Sequence, residues 1–263
     1  LVSSKDGGPL TMIRYFFPEN LIFYDEGSYV FEPILENVKK HNLKADSFVV
    51  NENEKVALIG KNANEIREMF IKFFKEKHQH TVVESSSLVP DNPTVLLTTA
   101  GMLQFLPIFL GIQKSPYDPA RATSCQKCAR AGGKDSDIEN VGRTPRHHTF
   151  FEMLGNWSIG DYFKEESLKM SWEFLTSPKW IGFNPDRIYV TMYPDDEETY
   201  KIWTEEIGLN PNHILKSMDN YWQIGEGPCG PDSEIYYDRG PEYDPEGIGE
   251  DLFFKEMEND RYV

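Results

Sequence analysis

Gln126-Lys127-Cys128-Ala129-Arg130-Ala131-Gly132-Gly133-Lys134, followed after a polar loop by Arg146-His147-His148-Thr149-Phe150-Phe151-Glu152-Met153-Leu154-Gly155-Asn156, is the most unusual stretch of the chain. It reads as two strands flanking a loop rich in glycine and charge, with cations at both ends. That arrangement suits a polyanion. Arg130 can hold phosphate oxygens through paired N–H bonds, Gly132 and Gly133 let the backbone approach a ligand, and Lys134 adds a mobile point charge. A solvated hairpin tip has the same composition. Neither G-x-x-x-x-G-K-[ST] nor G-x-G-x-x-G occurs, so a nucleotide would have to lie on the sheet rather than in a phosphate loop.

Outward from this pair, Ile66, Met69, Phe70, Phe73 and Phe74 recur at helical spacing, with Asn62 as the cap and Glu65 three residues on. Residues 81–83, 94–99 and 149–154 read as strands. Residues 187–193 form another, and Asp195-Asp196 behind it opens a helix carrying Tyr200, Trp203 and Ile207. Residues 167–175 read as helical. Strands and helices are interspersed without a strict βαβ repeat, which predicts an α+β fold with a mainly antiparallel sheet. Residues 1–61 differ, with apolar patches separated by charged, turn-like stretches, and read as a leader or small appended segment beside a domain over 62–263.

The 263 residues suffice for one large domain, and no apolar run has the length of a membrane span. No secretory signal is visible at the start, and the first residue is not Met, so a true start could lie upstream. A formal charge of −16 opposes non-specific binding to phosphate backbones. Three cysteines, Cys125, Cys128 and Cys229, are too few for a secreted disulfide framework and fit a cytoplasmic compartment. Cys125 and Cys128 have C-x-x-C spacing, and His147, His148 and Cys229 could be imagined completing a zinc site or redox pair. Adjacent histidines on a strand point to opposite faces, so half-buried thiols and no metal are the expectation.

The loop Asn220-Tyr221-Trp222-Gln223-Ile224-Gly225-Glu226-Gly227-Pro228-Cys229-Gly230-Pro231-Asp232-Ser233-Glu234 is punctuated by glycine and proline and could wall a small-molecule pocket. Trp222 taken alone fits a core position as well.

In this order, several segments resemble alanyl-tRNA synthetases of the bacterial and eukaryotic kind. They are Glu65-Ile66-Arg67, Asn92-Pro93-Thr94 through Ala100-Gly101-Met102, Cys128 to Lys134, Glu139-Asn140-Val141-Gly142 and His147 to Gly155. Further on come Gly160-Asp161-Tyr162-Phe163, Tyr189-Val190-Thr191, Gly227-Pro228-Cys229-Gly230-Pro231 and Tyr237-Asp238. The resemblance covers about Asn64 to Val263. It implies a class II synthetase fold, an antiparallel β-sheet flanked by helices, and the formation of alanyl-adenylate from alanine and ATP. It further implies that residues 93–111 match the structural motif 1 and residues 130–156 the ATP-binding motif 2.

Arg130 would then be the catalytic residue, holding the α-phosphate. His148 would contact ATP, Lys134 would lie near the phosphates, and Met153 near the adenine. Met153 and Trp222 would border the alanine pocket. Magnesium would accompany ATP, and tRNA(Ala) would be met through the parent protein. By this resemblance the chain stops before motif 3 and lacks the editing domain with its zinc, so a missing C-terminal segment or subunit is expected to complete it. A non-catalytic paralogue or split-subunit module that binds nucleotide or a partner chain would carry the same segments. This sequence departs from the family at Cys125, where Ser is common, at Glu226, where two residues are usual, and at Asp232, where Cys is frequent.

Overall fold

Asn62 opens the first long helix through a reciprocal cap: its side chain accepts the Glu65 N–H at 3.1 Å, and its own N–H donates to the Glu65 carboxylate at 2.6 Å. The computed structural model describes residues 21–23, 29–31, 62–90, 96–132, 138–144, 147–223, 228–255 and 259–263. The leader is described only at strands β1 (Leu21–Phe23) and β2 (Tyr29–Phe31), which pair antiparallel. From Asn62 on, the described residues fall into two compact units, one ending at Tyr162 and one starting at Phe163.

In the first unit, helix α1 (Ala63–Lys72) continues into a π-helical turn over Phe73–Lys77. The predicted apolar stripe is its inner face, with Ile66, Phe70, Phe73 and Phe74 buried and Met69 half-buried. The wider turn lets two consecutive phenylalanines face inward, their rings 4.9 Å apart and edge to face. Strand β3 (Thr81–Val83) follows as expected.

Residues 96–99 are not the predicted strand. Leu96 is 89% exposed, and Thr98 is tied instead into a turn, its N–H to the Leu88 carbonyl at 2.9 Å and its hydroxyl to the Ser87 carbonyl at 2.7 Å. A β-branched run raises strand propensity, yet here tertiary contacts outweigh it, because the segment must bend into the 3₁₀ turn at Gly101–Phe105 and the short helix α2 (Leu106–Phe109). Residues 91–95 lie outside the described set.

Strand β4 (Arg121–Ala129) pairs parallel with β3 and, over its whole length, antiparallel with β5 (Phe150–Ser158), so the sheet order is β3-β4-β5. The strand foreseen at residues 149–154 thus runs on past Gly155. A Cβ at Gly155 would lie 2.6 Å from the Trp157 ring, so glycine is needed there. Alternation gives β4 and β5 two faces. On one, Ala122, Ser124, Gln126 and Cys128 lie opposite Trp157, Gly155, Met153 and Phe151. Phe105 packs on this face, 5.3 Å from Trp157. On the other, Glu152 meets Arg67 of α1 at 2.6 Å.

His80 anchors the far end of this unit. It is buried, its Nδ1 lies 3.0 Å from the His78 carbonyl, and its Nε2 lies 2.8 Å from the Tyr162 hydroxyl, which also accepts from Asn156 Nδ2 at 3.0 Å. The carbonyl assigns the proton to Nδ1, so Nε2 accepts from Tyr162. Burial holds the imidazole down to about pKa 4. The unfolded histidine titrates near 6.5, so this group's contribution to stability is complete above that value and is lost as pH falls from about 6.5 towards 4. The expected result in urea unfolding is a smaller gap in stability between pH 7 and pH 5 for His80→Leu than for the wild type. An unchanged gap would contradict the assignment.

The second unit begins with helix α3 (Lys164–Thr176). A 3₁₀ turn over Pro185–Arg187 leads into β6 (Ile188–Met192), buried at every residue. The predicted strand is thereby trimmed at both ends. Asp196 caps helix α4 (Glu197–Lys201), accepting the Thr199 N–H at 3.2 Å, and Lys164 neutralises it at 2.7 Å. The helix continues through a π-helical turn over Ile202–Ile207, which carries Trp203 into the core with Ile188, Val190 and Met192.

Strand β7 (Ile214–Lys216) runs parallel to β6, and a hairpin of β8 (Tyr221–Gln223) and β9 (Cys229–Pro231) follows. Strand β10 (Ser233–Tyr237) returns antiparallel to β6, giving the order β10-β6-β7. Helix α5 (Asp251–Lys255) packs Leu252 and Phe253 against Tyr189, Tyr236 and Tyr262. Four of the six strand pairings described are antiparallel. The fold is α+β, with antiparallel-rich sheets flanked by helices.

Candidate functional site

Strand β4 ends where Arg130 begins, and three contacts fix that residue. Its N–H donates to the Thr149 carbonyl at 2.8 Å, prolonging the ladder to β5 by one step. Its Nε donates to the Thr99 carbonyl at 3.2 Å, and its guanidinium lies over the Phe151 ring at 5.2 Å from the centroid. Among the described residues no carboxylate pairs with it. A guanidinium held at its inner nitrogen and backed by an aromatic face is oriented without being neutralised, which suits an arriving anion.

Met153 follows Phe151 by two residues and so shares its face of β5. Its sulfur accepts the Gly101 N–H at 3.2 Å. That approach depends on glycine, since a Cβ at Gly101 would lie 3.3 Å from the Trp157 ring and 3.4 Å from the Met153 Cβ. Opposite Met153, the buried Gln126 amide is saturated: its oxygen accepts from Ser86 N–H at 2.8 Å and Gln104 Nε2 at 3.0 Å, and its nitrogen donates to the Ser86 and Lys127 carbonyls. The network stiffens the sheet behind Met153.

His148 immediately precedes the carbonyl that holds Arg130 N–H. Its Nε2 is buried and has no hydrogen-bond partner among the described residues, and burial lowers its pKa, so the ring is kept neutral at pH 7. An unpartnered buried ring nitrogen costs free energy unless a ligand or water meets it. Lys134 lies outside the described residues. The structure therefore brings Arg130 and Met153 together through Phe151 and residues 99–101, with His148 alongside in sequence. Trp222 belongs to the second unit, on β8 opposite Gly230, and is 39% exposed rather than buried in a core.

Phe151 and Thr99, which orient Arg130, escape a reading of the sequence by residue type, because neither carries chemistry of its own. The alternation of Phe151 with Met153 is the signal that could have found the first. The C-x-x-C pair sits on β4 three residues apart, so the thiols point to opposite faces. Burial, the largest cause for each, pushes Cys125 and Cys128 up to about 11, which keeps them protonated and poor as ligands or nucleophiles.

The family model described as tRNA synthetases class II (A) matches residues 65–263. The chain is similar to the alanine–tRNA ligases of Neisseria meningitidis and Neisseria gonorrhoeae, each 54% identical over 190 residues, which is 68% of this chain and 21% of the relative. The alanine–tRNA ligase of Haemophilus influenzae is 52% identical over 191 residues, 68% of this chain and 22% of that protein. The chain spans about a fifth of the length of these relatives. The match of the family model across both compact units makes this chain a member of the class II (A) tRNA synthetase family.

Proposed function

We propose that this chain is the alanine-activating segment of an alanine–tRNA ligase, which joins alanine to ATP as alanyl-adenylate before transfer to tRNA(Ala) by the whole protein. The observation that supports it best is Arg130, fixed at Nε by Thr99 and backed by Phe151, in a chain that is 54% identical over 190 residues to relatives named alanine–tRNA ligase.

The chemistry needs no nucleophile from the protein. An alanine carboxylate oxygen attacks the α-phosphorus, the bond from that phosphorus to the bridging oxygen breaks, and pyrophosphate leaves with the electron pair. Charge grows on the non-bridging oxygens as this happens, and Arg130 stabilises it. His148 offers Nε2 to the nucleotide, Met153 lies along the adenine, and Lys134 serves the phosphates. Trp222 is assigned to the alanine pocket through the resemblance of its loop. Magnesium would arrive with ATP and neutralise its phosphate oxygens. Among the described residues no group of three or more His, Cys, Asp or Glu side chains is placed to hold a metal ion.

In this reading residues 62–263 belong to the aminoacylation domain, residues 1–61 are an appendage, and further polypeptide contacts tRNA and completes the alanine site. The cytoplasm is the proposed setting, where the unpaired thiols of Cys125, Cys128 and Cys229 are at home. Among the described residues no helix is long and apolar enough to cross a membrane.

The test is ATP binding by the full-length protein with His148→Leu. Losing one hydrogen bond to the nucleotide should weaken ATP up to about tenfold while the melting temperature holds or rises, because the variant removes an unpartnered nitrogen. Unchanged ATP affinity would remove His148 from the site.

A further inference from the structure

In the second unit, the β8–β9 hairpin has a polar face whose bonding is incomplete. Trp222 lies opposite Gly230 and Tyr221 opposite Pro231, and the Asp232 N–H donates to the Asn220 carbonyl at 3.1 Å. The ladder thus extends one step to the pair Asn220 and Asp232, and alternation puts Asn220, Asp232, Trp222 and Gly230 on one face. The indole Nε1 lies 4.0 Å from where a Gly230 Cβ would stand. An aromatic side chain, an amide and a carboxylate therefore share one small surface.

Asn220 is only 1% exposed. Its Nδ2 donates to the Thr191 hydroxyl at 2.8 Å, and that hydroxyl donates in turn towards Glu234 at 3.4 Å. This relay fixes which end of the amide is nitrogen, since Thr191 spends its proton on Glu234. The Asn220 amide also bonds Asp232, while burial, aided by the neighbouring Glu234, raises the Asp232 pKa. Asn220 Oδ1 and Asp232 Oδ1 are both buried and, among the described residues, have no hydrogen-bond partner. Two buried acceptors without a donor are unfavourable, and the flanking carboxylates favour a cationic one.

We propose that Asn220 and Asp232 form a seat for a primary ammonium group, the α-ammonium of the amino-acid substrate, with Trp222 as its aromatic wall. An ammonium has three N–H donors, enough to meet both stranded oxygens, and an indole is the best aromatic neighbour for a cation. The identity of the amine rests on the alanine-activation reading, whereas the seat itself rests on the hairpin. Asp232 then acts as an amine-binding residue in addition to any partner supplied by further polypeptide.

The experiment is ATP–pyrophosphate exchange by the full-length protein, comparing wild type with Asp232→Asn and Asp232→Cys. The expected result is an alanine KM raised about tenfold or more in both variants, with the ATP KM and melting temperature little changed. The wild-type alanine KM should also rise as pH falls and Asp232 takes up its proton, and this dependence should vanish in Asp232→Asn. An alanine KM within about twofold of wild type in both folded variants would overturn the proposal and leave a bridging water as the donor. Calorimetry with alaninol, which keeps the ammonium, and lactate, which lacks it, separates the seat from the functional reading. Alaninol binding weakened by Asp232→Asn supports the seat even in a protein that shows no alanine-dependent exchange, and alaninol bound equally by both overturns it.

Discussion

Arg130→Ala in the full-length protein should lower alanine-dependent ATP–pyrophosphate exchange by about a hundredfold or more, while leaving the unfolding transition nearly where it was. The magnitude follows from what the guanidinium does in the proposed reaction. It meets charge that grows only as the α-phosphorus is attacked, in a site where Thr99 and Phe151 have already oriented it, so its loss is felt in the transition state more than in the ground state. About 2.7 kcal/mol corresponds to that fall in rate. Stability should change little, because the side chain gives up one hydrogen bond to a carbonyl and one aromatic contact. Exchange within about threefold of wild type, roughly 0.7 kcal/mol, would remove Arg130 from the reacting centre.

The largest loss of stability is expected from Arg261→Met. Arg261 is 9% exposed at its side chain and grips Asp238, 12% exposed, through two bonds of 2.8 Å. A third contact reaches Asp244 at 3.4 Å, whose carboxylate also accepts the Ile248 and Gly249 N–H groups. The ion pair joins the backbone bridge between Asp238 and Tyr262, and so fastens residues 259–263 beside β10. Methionine fills similar space but leaves the Asp238 carboxylate without its cation, a loss of roughly 3 to 5 kcal/mol, while Asp244 keeps its two backbone donors. Urea unfolding measures it. Neutralising Asp238 as well, in Arg261→Met with Asp238→Asn, should return part of the loss, because the stranded charge drives it. A single-variant loss below about 1 kcal/mol would show that the buried pair is of little consequence.

How much of this was legible in the sequence follows a physical divide. Features set by neighbours in the chain could be read directly: the cap made by Asn62 and Glu65, the stripe from Ile66 to Phe74, and the buried run of β6. Features set by distant partners could not. Residues 96–99 have strand-forming side chains, but the partners of Thr98 are Ser87, Leu88 and Ala129, which no local pattern announces. The π-helical turns after α1 and α4 are equally silent in the sequence, since they answer the packing of Phe73 and Phe74 in one unit and of Trp203 in the other.

The candidate site divides in the same way. Arg130 and His148 stood out as chemical groups in an unusual stretch, whereas Phe151 and Thr99 matter only through the geometry they impose on Arg130. Asn220 and Asp232 were part of a glycine- and proline-punctuated loop, and their shared want of a donor emerges only from the register of the hairpin and the relay through Thr191.

Alanine activation, proposed for the whole protein, is read out by amino-acid-dependent ATP–pyrophosphate exchange. With the full-length protein and each standard amino acid in turn, alanine should support exchange far faster than any other. Exchange that fails with alanine, or that runs as fast with a different amino acid, would contradict the account.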